Sequence, residues 1–208
     1  MSTYFITGIG TGVGKTVIAA ILTEALEADY WKPVQAGIEG TDSEWVKKML
    51  TNNKSTVHRE TYLLKLPASP HIAAGEENIS ISLAKIRVSM PSTANHLVIE
   101  GAGGLMAPLN KKQFVVDLIK ELDAKVIIVS KNYLGSINHS LLTAGLLKQY
   151  KINVLGWIFN EQYMDYENDI AEWSGYPRIA SVGNLGMITR EVIQAESLKM
   201  KDNLNLLL

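Results

Sequence analysis

Near the N-terminus four glycines alternate with other residues and run straight into a lysine and a threonine: Gly8-Ile9-Gly10-Thr11-Gly12-Val13-Gly14-Lys15-Thr16. Before them, Thr3 to Thr7 is rich in β-branched and aromatic residues and reads as a buried strand ended by Gly8. After them, Val17, Ile18, Ile21, Leu22, Ala25 and Leu26 recur near helical spacing, which predicts a helix over Lys15–Ala28 that begins inside the loop. A strand that turns through glycines into a helix N-terminus is suited to hold phosphate, because backbone N–H groups point inward and the helix dipole favours negative charge. In such a loop Lys15 supplies a mobile cation for the β- and γ-phosphates, and the Thr16 hydroxyl is placed to ligate Mg²⁺. The strict spacing G-x-x-x-x-G-K-[ST] is not met, since glycine stands at position 8 and Ile9 takes the place the pattern gives it. Gly-Lys-Thr between a strand and an amphipathic helix is still far more specific than a glycine-rich turn alone.

Strand and helix signals alternate along the rest of the chain. Strands are expected at Tyr30–Val34, His96–Glu100, Lys125–Ser130, Val154–Asn160 and Arg178–Val182. Helices are expected at Asp42–Leu50, Leu83–Ser89, Phe114–Leu122, Ile137–Gln149 and Asp165–Trp173. The segment from Asn52 to Ser80 reads as loop plus a short helix, and the residues from Leu185 onward give no clear signal. This alternation implies βαβ units, a parallel sheet and helices on both faces. No linker, repeat or low-complexity tract divides the chain, so a single α/β domain over residues 1–208 is expected.

Composition narrows the partners. A net charge of −1 gives no electrostatic reason for nucleic acid or an anionic membrane. With no cysteine there is no disulfide, thiolate nucleophile or cysteine-bound metal, which fits a reducing compartment. Met1 runs almost directly into a strand, leaving no secretory leader, and no apolar run reaches the roughly 18 residues of a membrane span. A soluble, cytoplasmic protein is expected.

Three charged residues stand out. Glu100 ends the apolar run Leu97-Val98-Ile99 and is followed by four small residues, at the carboxyl end of a strand where open α/β sheets bind ligands. It reads as a Mg²⁺ ligand beside Thr16, or as the cap of the following turn. The helix over Asp42–Leu50 takes Thr41 or Asp42 as its N-cap; Asp42, in Gly40-Thr41-Asp42-Ser43, reads first as that cap, with a second carboxylate near the metal as the alternative. Lys32, inside Tyr30-Trp31-Lys32-Pro33-Val34, points into a site or reaches solvent from an edge strand.

Six blocks occur together in order: Thr-Gly-Val-Gly-Lys-Thr (11–16), Lys-Pro-Val-Gln (32–35), Ser-Pro-His (69–71), Glu-Gly-Ala-Gly-Gly (100–104), Leu-Gly-Ser-Ile-Asn-His (134–139) and Gly-Trp-Ile-Phe-Asn (156–160). The set resembles the dethiobiotin synthetases, from the first strand to about Asn184. The resemblance implies a P-loop NTPase-type three-layer α/β/α fold with a mostly parallel central sheet, and a homodimer with active sites at the subunit interface. It implies ATP- and Mg²⁺-dependent closure of a ureido ring on 7,8-diaminononanoate with CO₂, in biotin biosynthesis. Through it, Gly12, Val13, Gly14, Lys15, Thr16 and Val17 become the phosphate loop, and Thr11, Lys15 and Lys32 the catalytic groups. Thr16, Asp42 and Glu100 become metal ligands, which moves Asp42 from cap to ligand. Glu100, Gly101, Ala102 and Gly103 line the nucleotide, Asn160 reads adenine, and Gly183 and Asn184 lie in the adenine-side loop. Lys32 and Ala36 face the diamine, and Gly135, Ser136, Ile137 and Asn138 form the partner subunit's helix start that receives the substrate carboxylate.

The chain departs from the family pattern at Ile9, Gly10 and Gly12, at Ala36 in place of a common serine, and at Gly183 in place of a common proline. His71 reads as a general base, a loop-ordering group or a helix cap, and His139 as packing against the sheet. His58 and His96 show no metal-ligand spacing. Trp45, Trp157 and Trp173 read as core or interface. The rival reading is a ParA- or MinD-like ATPase switch. Such switches usually carry a lysine early in the loop, at the place of Gly10, and their membrane-binding members have a basic amphipathic tail, whereas this chain ends Leu-Asn-Leu-Leu-Leu. A small-molecule kinase would leave Lys32 and two of the blocks unexplained.

Overall fold

The computed structural model describes residues 1–204; the last four residues of the Leu-Asn-Leu-Leu-Leu tail lie outside them. Seven strands form one sheet: β1 (Thr3–Gly8), β2 (Asp29–Trp31), β4 (Val57–His58), β6 (Leu97–Glu100), β7 (Lys125–Lys131), β8 (Val154–Asn160) and β9 (Arg178–Val182), with β3 (Val34–Ala36) and β5 (Tyr62–Leu64) paired separately. The order is β4-β2-β6-β1-β7-β8-β9, and every pairing in both sheets is parallel. Because all the strands point one way, their carboxyl ends collect along one edge. The chain leaves β1 at the sheet's centre and winds outward in both directions, so a crevice opens at that edge beside β1.

Helices cover both faces. Helix α1 (Lys15–Leu26), α2 (Asp42–Met49) and α8 (Arg190–Leu204) bury Ile18, Ile21, Val46 and Ile193 against Tyr4, Ile6, Tyr30 and Val98. On the other face lie α3 (Pro70–Glu76), α4 (Leu83–Val88), α5 (Val115–Leu122), α6 (Ser136–Gln149) and α7 (Glu167–Ser174). There Leu83, Val116, Leu147 and Ile170 pack with Phe5, Ile99, Ile128 and Trp157. The sheet interior is apolar on both faces, as parallel sheets covered by helices require.

The structure corrects several expectations. The strand expected over Tyr30–Val34 is two strands, because Pro33 has no N–H to continue the ladder. After the break the chain leaves the main sheet and pairs β3 with β5 instead. The segment from Asn52 to Ser80 holds β4 and β5 as well as the short helix, and of the unassigned C-terminal residues Arg190–Leu204 form α8, which packs on α1. Trp173 is 57% exposed, whereas Trp157 is fully buried. His139 is exposed, its Nδ1 in a hydrogen bond with the Tyr133 hydroxyl at 2.6 Å, and does not pack against the sheet. Among the described residues no helix is long and apolar enough to cross a membrane.

Candidate active site at the carboxyl edge of the sheet

The loop after β1 folds over the start of α1 and is pinned at three points. The amide of Ile9 donates to the Val129 carbonyl at 3.1 Å, and Lys15 Nζ donates to the Gly10 carbonyl at 2.8 Å. From the far side, Asn160 Nδ2 donates to the Val13 carbonyl at 3.1 Å. Gly14 is the point where only glycine fits: its φ is +90°, and a Cβ there would stand 2.1 Å from Asn160 Nδ2. The helix therefore starts directly at Lys15, with Lys15 and Thr16 as its first residues and their amides free of intrahelical partners.

Four polar side chains converge beside that start. Thr16 Oγ1 lies 2.9 Å from Glu100 Oε1 and 3.2 Å from Asp42 Oδ1, so its single proton serves one carboxylate at a time. Lys32 Nζ donates to Asp42 Oδ2 and, at 3.0 Å, to Glu100 Oε1. The other oxygen of Glu100 accepts from the Tyr30 hydroxyl at 2.7 Å. Lys32 is 6% exposed and Glu100 1%, so this ion pair is screened little by water. Burial by itself lowers the Lys32 ammonium, but the charges of Glu100 and Asp42 outweigh it and hold it above the usual lysine range. Lys15 follows the opposite balance: burial dominates, with Lys32 adding to it, and brings its ammonium down to about 8 despite the attraction of Glu100 and Asp42.

Local structure explains these placements. Lys32 is carried to the edge by the end of β2 and fixed by Pro33. Asp42 is not the cap of α2. Thr41 is, with its side chain accepting from the Glu44 amide and Glu44 bonding back to the Thr41 amide. Asp42 is thereby left free to face the cluster. Its amide is met by Gln35 Oε1 at 3.4 Å, which ties β3 to the start of α2. Gly101 follows Glu100 where a Cβ would come within 2.8 Å of the Phe5 ring, so the backbone passes close over β1.

Two cavities flank the loop. One, of about 280 Å³, is lined by Gly12, Gly14, Val17, Asn160, Gly183 and Asn184 with Glu161, Leu185, Gly186 and Ile188. The second, of about 410 Å³, is lined by Thr11, Lys32, Ala36, Asp42, Ala102 and Gly103 together with Gln35 and the Pro67–Pro70 turn. Of the expected residues, Gly12, Gly14, Val17, Asn160, Gly183 and Asn184 line the smaller cavity and Thr11, Lys32, Ala36, Asp42, Ala102 and Gly103 the larger, while Val13, Lys15, Thr16, Glu100 and Gly101 line neither. His71 stands outside both, exposed, its Nδ1 3.1 Å from Ser69 Oγ. Gly135 to Asn138 form the start of α6 and line neither cavity of their own chain. Ser136 turns inward, its amide donating to the Tyr133 carbonyl and its hydroxyl paired with that of Tyr166 at 2.8 Å. The amides of Ile137 and Asn138 remain as the uncommitted donors of that turn.

Thr16, Asp42 and Glu100 offer a hydroxyl and two carboxylates, the hard oxygen donors that Mg²⁺ takes, so the residues fit that ion. Among the described residues no group of three or more His, Cys, Asp or Glu side chains gathers around a metal position. Sequence reasoning had no means to find Tyr30, because an aromatic in a buried strand carries no marker of a site, and Gln35 entered only as the last residue of the Lys-Pro-Val-Gln block, with no role given to it.

A family profile described as an AAA domain matches residues 2–192. The ATP-dependent dethiobiotin synthetase of Cytophaga hutchinsonii is 49% identical over 205 residues, covering 98% of each chain. That of Christiangramia forsetii is 52% identical over 158 residues, 76% of this chain and 75% of the relative. Among solved structures, the Pyrococcus furiosus cell division ATPase MinD superposes with a TM-score of 0.62 at 12% identity, over the whole of both chains. The ParA family ATPase of Chlorobium tepidum superposes at 0.56 and 14% identity, covering 99% of this chain and 91% of that one. These two likenesses establish the P-loop fold alone.

Proposed function

The chain belongs to the dethiobiotin synthetase family, and from that premise we propose that it is a ligase that makes dethiobiotin from 7,8-diaminononanoate, CO₂ and ATP in biotin biosynthesis. It would act as one ATP-binding synthetase domain, in the cytoplasm, as a homodimer. The observation that carries this reading is the buried Lys32, held between Asp42 and Glu100 and lining the larger cavity.

In this reading ATP lies across the loop. Its phosphates meet the amides at the start of α1 and the Lys15 ammonium, and its base enters the smaller cavity beside Asn160, Gly183 and Asn184. Asn160 spends one N–H on Val13, which leaves its Oδ1 and second N–H for an adenine edge. Gly101, Ala102 and Gly103 bring backbone close to the phosphates from the side of β6. Thr16, Asp42 and Glu100 would hold Mg²⁺, which supplies charge neutralisation on the phosphates.

The diamine enters the larger cavity. One amine combines with CO₂ to a carbamate, losing a proton, and the carbamate oxygen then takes the γ-phosphoryl group as the bond to the β-phosphate breaks and ADP leaves, giving a carbamic–phosphoric anhydride. The second amine then attacks that carbonyl, phosphate leaves, and the five-membered ring closes. A carbamate is a poor electrophile, and phosphorylation turns its oxygen into a leaving group. Such transfer needs in-line placement and neutralised charge rather than a protein nucleophile. Lys32 and Lys15 supply the two cations, and Thr11 the hydroxyl at the junction of the cavities. Having both amines on one molecule makes closure intramolecular. Ala36 offers only a methyl to the diamine, so polar contacts on that wall fall to its neighbours. Gly135 to Asn138 of a partner subunit would receive the substrate carboxylate through helix-start amides.

ATP turnover tests the reading. Phosphate release should depend on the diamine together with bicarbonate, and yield dethiobiotin by mass spectrometry. Lys15→Ala and Lys32→Ala should each slow ring closure by at least about 100-fold, ~2.7 kcal/mol. Release that ignores the diamine and responds to DNA, lipid or a protein partner would refute it.

A further inference from the structure

Glu100 holds its two oxygens in different surroundings. Oε1 faces the site, with Thr16 Oγ1 at 2.9 Å and Lys32 Nζ at 3.0 Å. Oε2 faces the sheet and accepts from the Tyr30 hydroxyl at 2.7 Å, in a bond buried on both sides. The parallel register explains the contact. Tyr30 pairs with Val98, so its side chain projects from the same face as Val98 and, two residues on, Glu100. The ring lies in the core packed by Ile18, Ile21 and Val46, and only the hydroxyl reaches the polar cluster.

We propose that Tyr30 is a positioning residue for Glu100: its hydroxyl fixes the inner carboxylate oxygen, so that Oε1 is presented to the divalent cation of the bound nucleotide. This inference rests on the metal role given to Glu100 above. The terminal torsion of a glutamate is broad and roughly two-fold, so an untied carboxylate would exchange its oxygens or tilt between Thr16 and Lys32. The tie from Oε2 selects one orientation. Partners that orient a metal-binding carboxylate act on affinity for the ion without touching it.

The substitution Tyr30→Phe keeps the ring and removes only the donor. Mn²⁺ binding in the presence of ADP, followed by electron paramagnetic resonance, should weaken about 10- to 100-fold. The apparent KM for Mg²⁺ should rise by more than kcat falls, while ADP binding in chelator matches the unaltered protein. In a Glu100→Gln background the same substitution should add no further loss of Mn²⁺ affinity. Mn²⁺ affinity within about two-fold of the unaltered protein, or an equal further loss in the Glu100→Gln background, would overturn the proposal. A Tyr30→Phe protein that loses metal-free ADP binding as well would also overturn it, since the hydroxyl would then hold the fold rather than the carboxylate. If the unaltered protein binds no Mn²⁺ with ADP, the metal reading of the site fails and Tyr30 with it.

Discussion

Lys15 is pressed in two directions, and the outcome sets how the loop responds to pH. Burial brings its ammonium down to about 8. A phosphate chain beside it favours the charged form and raises that value. Below about pH 8 the proton is already present, so binding changes nothing; above it, the nucleotide must draw a proton in, and affinity falls as pH rises. Calorimetry of ADP binding in buffers of different ionisation heat should show proton uptake at about pH 9 and almost none at about pH 7. Equal uptake at both would place the Lys15 value elsewhere. The sequence made Lys15, Thr16 and Glu100 legible, because a cation, a hydroxyl and an acid stand where a loop and a strand end must deliver them. Asp42 was ambiguous, since threonine and aspartate in succession are both good caps and only the folded turn shows Thr41 taking that role. Tyr30 was hidden, for its ring belongs to the core and a single atom to the site.

Two helices must keep a fixed relation for this site to exist, since α1 brings Thr16 and α2 brings Asp42. Their far ends are joined by Glu24 of α1. Its carboxylate accepts from the Thr51 amide and hydroxyl and from the amide and side chain of Asn52, just past the end of α2. Burial alone would raise the Glu24 carboxyl, but these four donors outweigh it and hold it below its ordinary 4.5. The unfolded chain therefore takes up the proton at higher pH than the folded one. The stabilisation is present above about 4.5 and is lost as pH falls through the lower folded value. Glu24→Ala should cost about 1.5–3 kcal/mol in urea unfolding near neutral pH, and the loss should shrink in acid. A variant as stable as the unaltered protein would remove the clamp. At this scale the sequence located the long apolar strands and amphipathic helices well. It missed β4 and β5, whose two and three residues are too short to show alternation, and α8, whose polar face outweighs its buried Ile193 and Met200. It also ran one strand through Lys32-Pro33, where the missing N–H ends the ladder.

Taken whole, the molecule shares its architecture with MinD and ParA ATPases at 12–14% identity, which shows what the sheet is and leaves its chemistry open. The relatives at 49% and 52% identity decide the family. In the proposed dimer the helix start at Gly135–Asn138 serves the neighbouring site, so each site draws on two chains. Asn138→Asp should raise the KM for the diamine acid by adding charge where a carboxylate docks, and leave ADP binding unchanged. Mixed with Lys32→Ala protein, it should regain part of the activity through hybrid dimers. Failure of such mixtures, at concentrations where sedimentation shows twice the 22.9 kDa chain mass, would argue for sites complete within one chain. Thr11 borders one hollow and its neighbour Gly12 the other. The two hollows therefore meet at adjacent residues of one loop, and under the proposed reading a compound joining an adenine nucleotide to a diamine mimic would need only a short tether to lodge in both.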